Sequence, residues 1–400
     1  MKQNIFNNPA FVLGLFETGL GVIRSLGRKG IKVIGYDYKK DVAYYSKYVS
    51  PKLCPHPELN EKEFIEFLIR ETKKYHLKPV LYITSDYFLS AIINNLDIIS
   101  NYFLINSINK NLFEKIRNKY LQFQLVKKFN IPVPETIVID SGKFDKQLIK
   151  KLKFPVFLKG LDSNQWRSVF GGSKKGFLIT SENQLSQLLN EINYLNINLI
   201  LQEYIEGSDT NHYKFNCYID KSGIIRAAFC LQKKRQNPIH FGVGSLVESI
   251  TNSQLFELGK KLFTSIGYRG VGSAEFKFDE RDNQFKLIEI NPRYWQQNSL
   301  ATACGVNFPL IQYLDLTGQQ FMDTFNYQTG IKWVNIYSDF DSFLSYRKEG
   351  LLNFSKWLQS LKGKKVFSDW ALDDIKPGFY ELDFGRRLIK IPSYLIKKML

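Results

Sequence analysis

Between residues 10 and 100, short apolar runs alternate with stretches whose apolar positions recur at helical spacing. "AFVLGLF" (10–16), "IKVIGYD" (31–37) and "PVLYITSD" (79–86) predict strands. "TGLGVIRSLGRKG" (18–30), closed by Gly30, "EKEFIEFLIRETKKY" (61–75) and "YFLSAIINNLDII" (87–99) predict helices. Such alternation implies a parallel sheet with helices on its faces. Residues 109–129 predict one long amphipathic helix, stopped by the two prolines of "NIPVPET". The pattern then changes. "FPVFLKG" (154–160) and "NLILQEYIEG" (198–207) read as strands, "SVFGGSKKGFLIT" (168–180) as a glycine-containing turn between strands, and "NQLSQLLNEINYL" (183–195) as a helix. Residues 213–291 are strand-rich, with one helix near 252–266, and from 331 the signal weakens. The fold class is α/β followed by α+β.

One stretch carries chemistry in its alternation. "GSAEFKFDERDNQFKLIEINPR" (272–293) predicts a hairpin around the polar turn "ERDN". Pairing Asp279 with Phe285 puts Glu275 directly opposite Glu289, with Asn291 and Arg293 following at every second position. Phe276, Phe278, Ile288 and Ile290 then take the other face. Like charges opposite one another repel. A hard cation removes the repulsion, and Mg²⁺ takes carboxylates plus substrate phosphates. The plainer alternative is two glutamates separated by solvent.

The 400 residues suffice for two or three domains, and 44% hydrophobic residues give large cores. No run approaches the ~20 apolar residues of a membrane span, and the N-terminal apolar stretch reads as a buried strand, not a signal peptide. The four cysteines are scattered, with no C-x-x-C, which fits a reducing cytoplasm and argues against a zinc site or disulfide scaffold. Net charge is +17. It fits acidic partners such as nucleotides, although the lysines are spread, as in a biased composition. Gly14, Gly19 and Gly21 with Asp37 are tempting as a dinucleotide site, but the spacing is not G-x-G-x-x-G, and a tight structural turn or an anion site is preferred. No Walker motif is present. The tail "RRLIKIPSYLIKKML" is basic and apolar, but Pro392 interrupts any helix, so packing onto the protein body is expected over a membrane contact.

Six segments in order, "RNKYLQFQLVKKFNIPVPET", "FPVFLKG", "FGGSKKG", "LQEYIEG", "KKRQNPIHFGVGS" and "SAEFKF…LIEINPRYWQQ…GVNFP", resemble the ATP-grasp superfamily, more closely the predicted carboxylate–amine ligases related to D-aspartate ligase. The resemblance implies a Rossmann-like pre-ATP-grasp domain (1–108), a small lobe with a phosphate-covering loop (109–205), a large lobe with a metal site (206–328) and a basic C-terminal extension (329–400). It implies ATP and Mg²⁺, with Mn²⁺ as a substitute, and small-molecule carboxylate and amine substrates joined through an acyl phosphate. No nucleic acid is expected.

The resemblance also implies roles. Lys119 and Lys159 would hold phosphates under the loop Gly171, Gly172, Ser173. Gln202, Glu203 and Ile205 would form the adenine hinge, partly through backbone, and Asp209 falls near the ribose acid. Arg235 would lie near the transferred phosphate, with Lys233 and Lys234 as neighbours that a one-residue slip would bring in, as Lys115 and Lys127 flank Lys119. Glu275, Glu289 and Asn291 match metal ligands, and Arg293 the cation on the reacting carboxyl. Ser85 and Asp86 are candidates for the acceptor pocket, with Asp86 as a helix cap the structural alternative. Tyr294, Trp295 and Gln297 are candidates for pocket lining or core. A bicarbonate-activating carboxylase of the biotin type, a nicotinamide-dependent oxidoreductase and a non-catalytic nucleotide binder are the rival readings.

Overall fold

The computed structural model describes residues 6–139, 154–161, 166, 169–171, 176–192 and 197–382. Three sheets organise them. The first is parallel, in the order β3-β2-β1-β4, built from β1 (Ala10–Leu13), β2 (Val33–Asp37), β3 (Ser50–Leu53) and β4 (Val80–Ile83). β1, β2 and β4 are buried at every position, as strands covered on both faces must be. Helix α1 (Glu17–Gly27) packs on one face, and α2 (Glu61–Thr72), α3 (Asp86–Asn94) and α4 (Leu96–Tyr102) pack on the other. The helix predicted over 87–99 breaks at Asn95, whose amide turns back to the Ala91 carbonyl at 2.9 Å. β3 escaped the periodicity because it is a polar edge strand carrying Pro51.

The glycine turn after β1 is a packing device. Gly14 has φ +100, and a Cβ on Gly19 would lie 2.0 Å from the Gly14 carbonyl oxygen. Asp37 closes the turn by accepting from the Leu15 N–H at 2.6 Å. Its carboxylate is therefore engaged where the dinucleotide alternative required a free acid.

The single helix predicted over 109–129 is two, α5 (Lys110–Arg117) and α6 (Lys119–Lys127). Asn118 separates them with ψ 112, its side chain accepting from the N–H groups of Tyr120 and Leu121. An asparagine that caps a new helix competes with continuing the old one. The break sets Lys119 at the first position of α6. Both helices bury Phe113, Ile116, Phe123 and Val126 in the core of the main body.

The second sheet, order β5-β8-β6-β7, is antiparallel: β5 (Thr136–Ile139), β6 (Val156–Gly160), β7 (Phe177–Ile179) and β8 (Leu199–Glu203), with α7 (Glu182–Ile192) packed against it. It has its own apolar core, centred on Val156, Leu158, Leu185 and Leu201.

The third sheet has the order β13-β12-β9-β10-β11-β14-β15. Its long strands are β9 (His212–Ile219), β10 (Ile225–Asn237), β11 (Val243–Ile250), β12 (Gly270–Asp279) and β13 (Gln284–Asn291), with α8 (Ser253–Ser265) on one face. α9 (Asn298–Ala303) and α10 (Phe308–Leu316) cover part of the other face and join it to the first sheet. The rest of that face is polar and looks toward the second sheet through Lys159.

The C-terminal segment is not an appendage. β14 (Lys332–Val334) pairs with β11, α11 (Ile336–Lys348) and α12 (Phe354–Ser360) follow, β15 (Lys365–Phe367) pairs with β14, and α13 (Lys376–Leu382) ends the described chain. The predicted packing of the tail itself falls on residues outside those described. The segment also clamps the first domain: buried Arg24 of α1 binds the Asp374 carboxylate at 2.9 Å and the Asp369 carbonyl at 2.7 Å. Among the described residues, no helix is long and apolar enough to cross a membrane.

Asp369 supplies a pH test of this clamp. Burial, reinforced by Glu17, pushes its carboxyl up to about 7 from 3.8. Unfolded, it loses its proton near pH 4; folded, near 7. Stability therefore falls as pH rises through that window and levels off above it. Asp369→Asn, a neutral mimic, is expected to match the parent in thermal melts near pH 4. Above pH 7 it should exceed the parent, by at most ~4 kcal/mol. Equal melts at both pH values would remove Asp369 from the pH response.

Candidate active site

The polar face of the third sheet is written in a period of two. β9 contributes His212, Lys214 and Asn216; β12 contributes Ser273, Glu275 and Lys277; β13 contributes Glu289 and Asn291. The pairing places Lys214, Glu275 and Glu289 in one row and Asn216, Ser273 and Asn291 in the next. Side chains at alternate positions share a face, so eight polar groups converge on one patch.

The predicted Glu275–Glu289 pairing is present, but the predicted hairpin register is only half right. Next to the turn, Asp279 pairs with Gln284, not with Phe285. A bulge at Ile288 on β13, opposite the step from Glu275 to Phe276 on β12, restores the register, so that Glu275 meets Glu289. A bulge re-aims the side chains beyond it, and here it brings Glu289 onto the face of Glu275.

Glu275 sits among two ammonium groups and an imidazole: Lys233 Nζ at 2.6 Å, Lys214 Nζ at 3.6 Å and His212 Nδ1 at 3.2 Å. Burial opposes its ionisation, but Lys233, Lys214 and His212 outweigh this and hold the carboxyl well below the usual carboxylate range. The same burial lowers the Lys214 and His212 pKa values, with Glu275 partly restoring them. Glu289 is more open, with a side chain 42% exposed and Lys119 Nζ at 3.4 Å. Asn291 lies beside it, its amide 3.5 Å from a Glu289 oxygen. Across from the sheet, Lys159 of β6 donates to Gln202 Oε1 at 2.8 Å. Burial drives the Lys159 pKa well below its ordinary value, and neighbouring Lys119 lowers it further.

The structure thus brings together Lys119, Lys159, Gln202, Glu275, Glu289, Asn291 and Arg293. Arg293 holds Asp86, the first residue of α3, through two bonds of 2.6 and 2.9 Å, and touches Asn291 Oδ1 at 3.3 Å. Ser85, not Asp86, stands at the cap position of α3, and its buried hydroxyl has no hydrogen-bond partner. Gly171 has φ +79, whereas Gly172 and Ser173 lie outside the described residues. Ile205, two residues beyond β8, is buried. The Glu203 carboxylate turns away to Arg281 at 2.8 Å and Lys286 at 3.6 Å, leaving only its backbone for a hinge role.

Of the implied site residues, Arg235 is turned away from the patch and Asp209 is already partnered. A register shift in β10 between Lys233 and Arg235 skips Lys234 and turns the two side chains to opposite faces. Lys233 therefore reaches Glu275, while Arg235 binds Asp339 of α11 through two bonds of 2.8 Å. Asp209 is likewise engaged: its carboxylate accepts from the Tyr346 hydroxyl and from the His240 N–H at 2.9 Å. Burial resists its charge, yet Tyr346 and His240 lower its pKa overall. Tyr294, Trp295 and Gln297 are core residues rather than pocket lining, all at most 2% exposed.

Lys214, His212, Asn216 and Ser273 were not identified from the sequence. Their signal was the same alternation, in "HYKFN" and "GSAEF", that singled out Glu289, Asn291 and Arg293. Among the described residues no three His, Cys, Asp or Glu side chains converge as a metal cage. Two carboxylates and an amide oxygen suit Mg²⁺ only when phosphate oxygens complete its shell, which is the chemistry Mg²⁺ prefers. The buried Ser273 hydroxyl and Gln202 amide nitrogen also lack partners, as they would at a site meant to receive a polar ligand.

The Arg235–Asp339 pair generates a test. Trp357 Nε1 and Ser245 Oγ also donate to Asp339, at 2.9 and 3.2 Å. Asp339→Ala leaves a buried guanidinium unpaired and is expected to cost roughly 3–5 kcal/mol in denaturant unfolding. Adding Arg235→Met should recover part of that loss. Equal, additive losses from the two changes would show that the pair is not coupled.

The RimK-like ATP-grasp domain family matches residues 116–223. The chain is 27% identical over 277 residues to D-aspartate ligase of Enterococcus faecium (strain Aus0004), covering 66% of this chain and 65% of that protein. It therefore spans about two thirds of that relative's length. Among solved structures, an ADP complex of N5-carboxyaminoimidazole ribonucleotide synthetase superposes with TM-score 0.61 at 14% identity, covering 80% of each chain. L-amino acid ligase from Bacillus licheniformis superposes with TM-score 0.58 at 12% identity, covering 78% of this chain and 74% of that one. The chain has the ATP-grasp fold and is related in sequence to D-aspartate ligase.

Proposed function

We propose that this chain is a ligase that uses ATP to activate a carboxylate as an acyl phosphate and joins it to an amine, releasing ADP and phosphate. The observation that carries the reading is the cross-strand pair Glu275 and Glu289, ringed by Lys119, Lys214 and Lys233 and faced by Lys159. Such a patch holds too much positive charge for its own carboxylates and suits a polyphosphate.

Lys119 and Lys159 would bind the phosphates from opposite sides of the cleft, under the loop at 171–173. Gln202 would keep Lys159 aimed, and the backbone at Glu203 and Ile205 would meet the adenine. Glu275, Glu289 and Asn291 would hold Mg²⁺, which when bound neutralises phosphate charge and polarises the transferred group. Lys233 takes the place that the resemblance gave to Arg235. Arg293 would meet the reacting carboxyl, with Asp86 keeping its guanidinium oriented until substrate arrives. The protein's share of catalysis is positioning and charge stabilisation, and no side-chain nucleophile is required. The four cysteines are free and buried, which supports a cytoplasmic setting where ATP is available.

The test is ADP formation by the purified protein with Mg²⁺ and ATP, across pools of carboxylic acids and amines. Turnover is expected only when an acid and an amine are both present. Glu289→Ala should lower it at least ~100-fold with unchanged circular dichroism and melting, since a half-exposed side chain is removed. Lys159→Ala should weaken ATP binding more than it changes stability. Parental turnover in Glu289→Ala would sink the metal assignment, and ADP release with bicarbonate alone would replace the ligase by a carboxylase.

A further inference from the structure

The pair α11 and α12 has two kinds of surface. The inner one is built into the sheet: Phe343, Tyr346 and Trp357 are buried, and Asp339 meets Arg235. The outer one is apolar and open. Phe340 and Leu344 lie one turn apart on α11, Phe354 and Leu358 one turn apart on α12, and Leu351 sits in the loop between; all are at least 39% exposed. Rings join the two helices into one patch, with Phe340 5.9 Å and Phe354 5.8 Å from Trp357 and Phe343 6.1 Å from Phe354. Large side chains in that number, left exposed together, mark a surface with a partner.

The rim identifies the partner's charge. Arg347 and Lys348 in the last turn of α11, Lys356 in α12, and Lys362, Lys364 and Lys365 directly after it are all exposed. Between residues 340 and 365 there are six basic residues against two acidic ones, Asp341 and Glu349. Glu349 lies 2.9 Å from His240 Nε2. A second copy of the chain would set six cations against six. Residues 383–400 carry five basic residues and one acidic, so they too repel the rim. Short amphipathic helices with Phe and Leu outward and Lys and Arg beside them match an anionic bilayer surface, which takes apolar side chains below its headgroups and cations among them.

We propose that the outer face of α11 and α12 docks on an anionic lipid surface, placing the protein at a membrane without spanning it. The face lies outside the ligand cleft, so docking does not depend on the ligase reading. α11 holds Arg235 and Asp209 through Asp339 and Tyr346, and α12 reaches Arg235 through Ser360, so a docked surface is one layer of side chains from the strand that carries Lys233.

The experiment is co-sedimentation of the full chain with vesicles of phosphatidylcholine alone or mixed with phosphatidylglycerol. Binding is expected only to the mixed vesicles and should fall with salt. Phe354→Glu with Leu358→Glu, or Lys362→Glu with Lys364→Glu and Lys365→Glu, should weaken it at least ~10-fold while melting temperature and nucleotide binding stay at parental values. Lys397→Glu with Lys398→Glu should leave it unchanged. No binding to either vesicle, or binding lost through the residue 397 and 398 changes and kept in the helix variants, would overturn the proposal. So would a dimer in light scattering that Phe354→Glu dissolves, because the partner would then be a second copy.

Discussion

A carboxylate buried in a sheet must be compensated, and Glu275 is the group around which the third sheet is arranged. Lys214 comes from the neighbouring strand in register, Lys233 from the strand beyond, and His212 from one step along β9. Removing either lysine leaves charge unbalanced in a low-dielectric place, where imbalance is costly, and removing His212 takes a hydrogen-bond partner from the carboxylate. The cluster as a whole remains cationic. Structure and affinity therefore have one source: the cations that make Glu275 tolerable also leave the face short of negative charge.

The C-terminal segment is the second element on which the body depends. It adds two strands beyond β11, buries Arg24 of α1 beside Asp374, and takes Arg235 and Asp209 into its own contacts. The first domain and the large lobe share continuous apolar cores, and this segment adds polar links between them. The small lobe, by contrast, closes on a separate core. Its ties to the body include the Phe241 ring stacked 5.1 Å from Phe157 and the ion pair of Glu203 with Arg281. A lobe held in this way can move as a unit.

Much of this was legible in the sequence, for identifiable reasons. The buried parallel strands announced themselves because strands covered on both faces are continuously apolar. Glu275 and Glu289 were paired correctly although the turn register was off by one, because a bulge at Ile288 compensated, and nothing in the local sequence specifies that bulge. Lys233 and Arg235 were indistinguishable, since a one-residue shift in β10 decides which faces the cleft. Asn118 and Asn95 broke helices that hydrophobic periodicity ran through, since capping is a property of one side chain and not of a pattern. Residues from 331 onward were opaque because short elements that finish another sheet carry little periodicity of their own.

Lys159 is held in the cleft by an amide oxygen, with a lysine near it and its own water largely removed. Its grip on a proton is correspondingly weak. An anion arriving beside it strengthens that grip, so occupancy and protonation are linked, each favouring the other. Across the pH range where this lysine gives up its proton, filling the cleft and holding the proton rise and fall together, so the anion is released more readily as pH climbs.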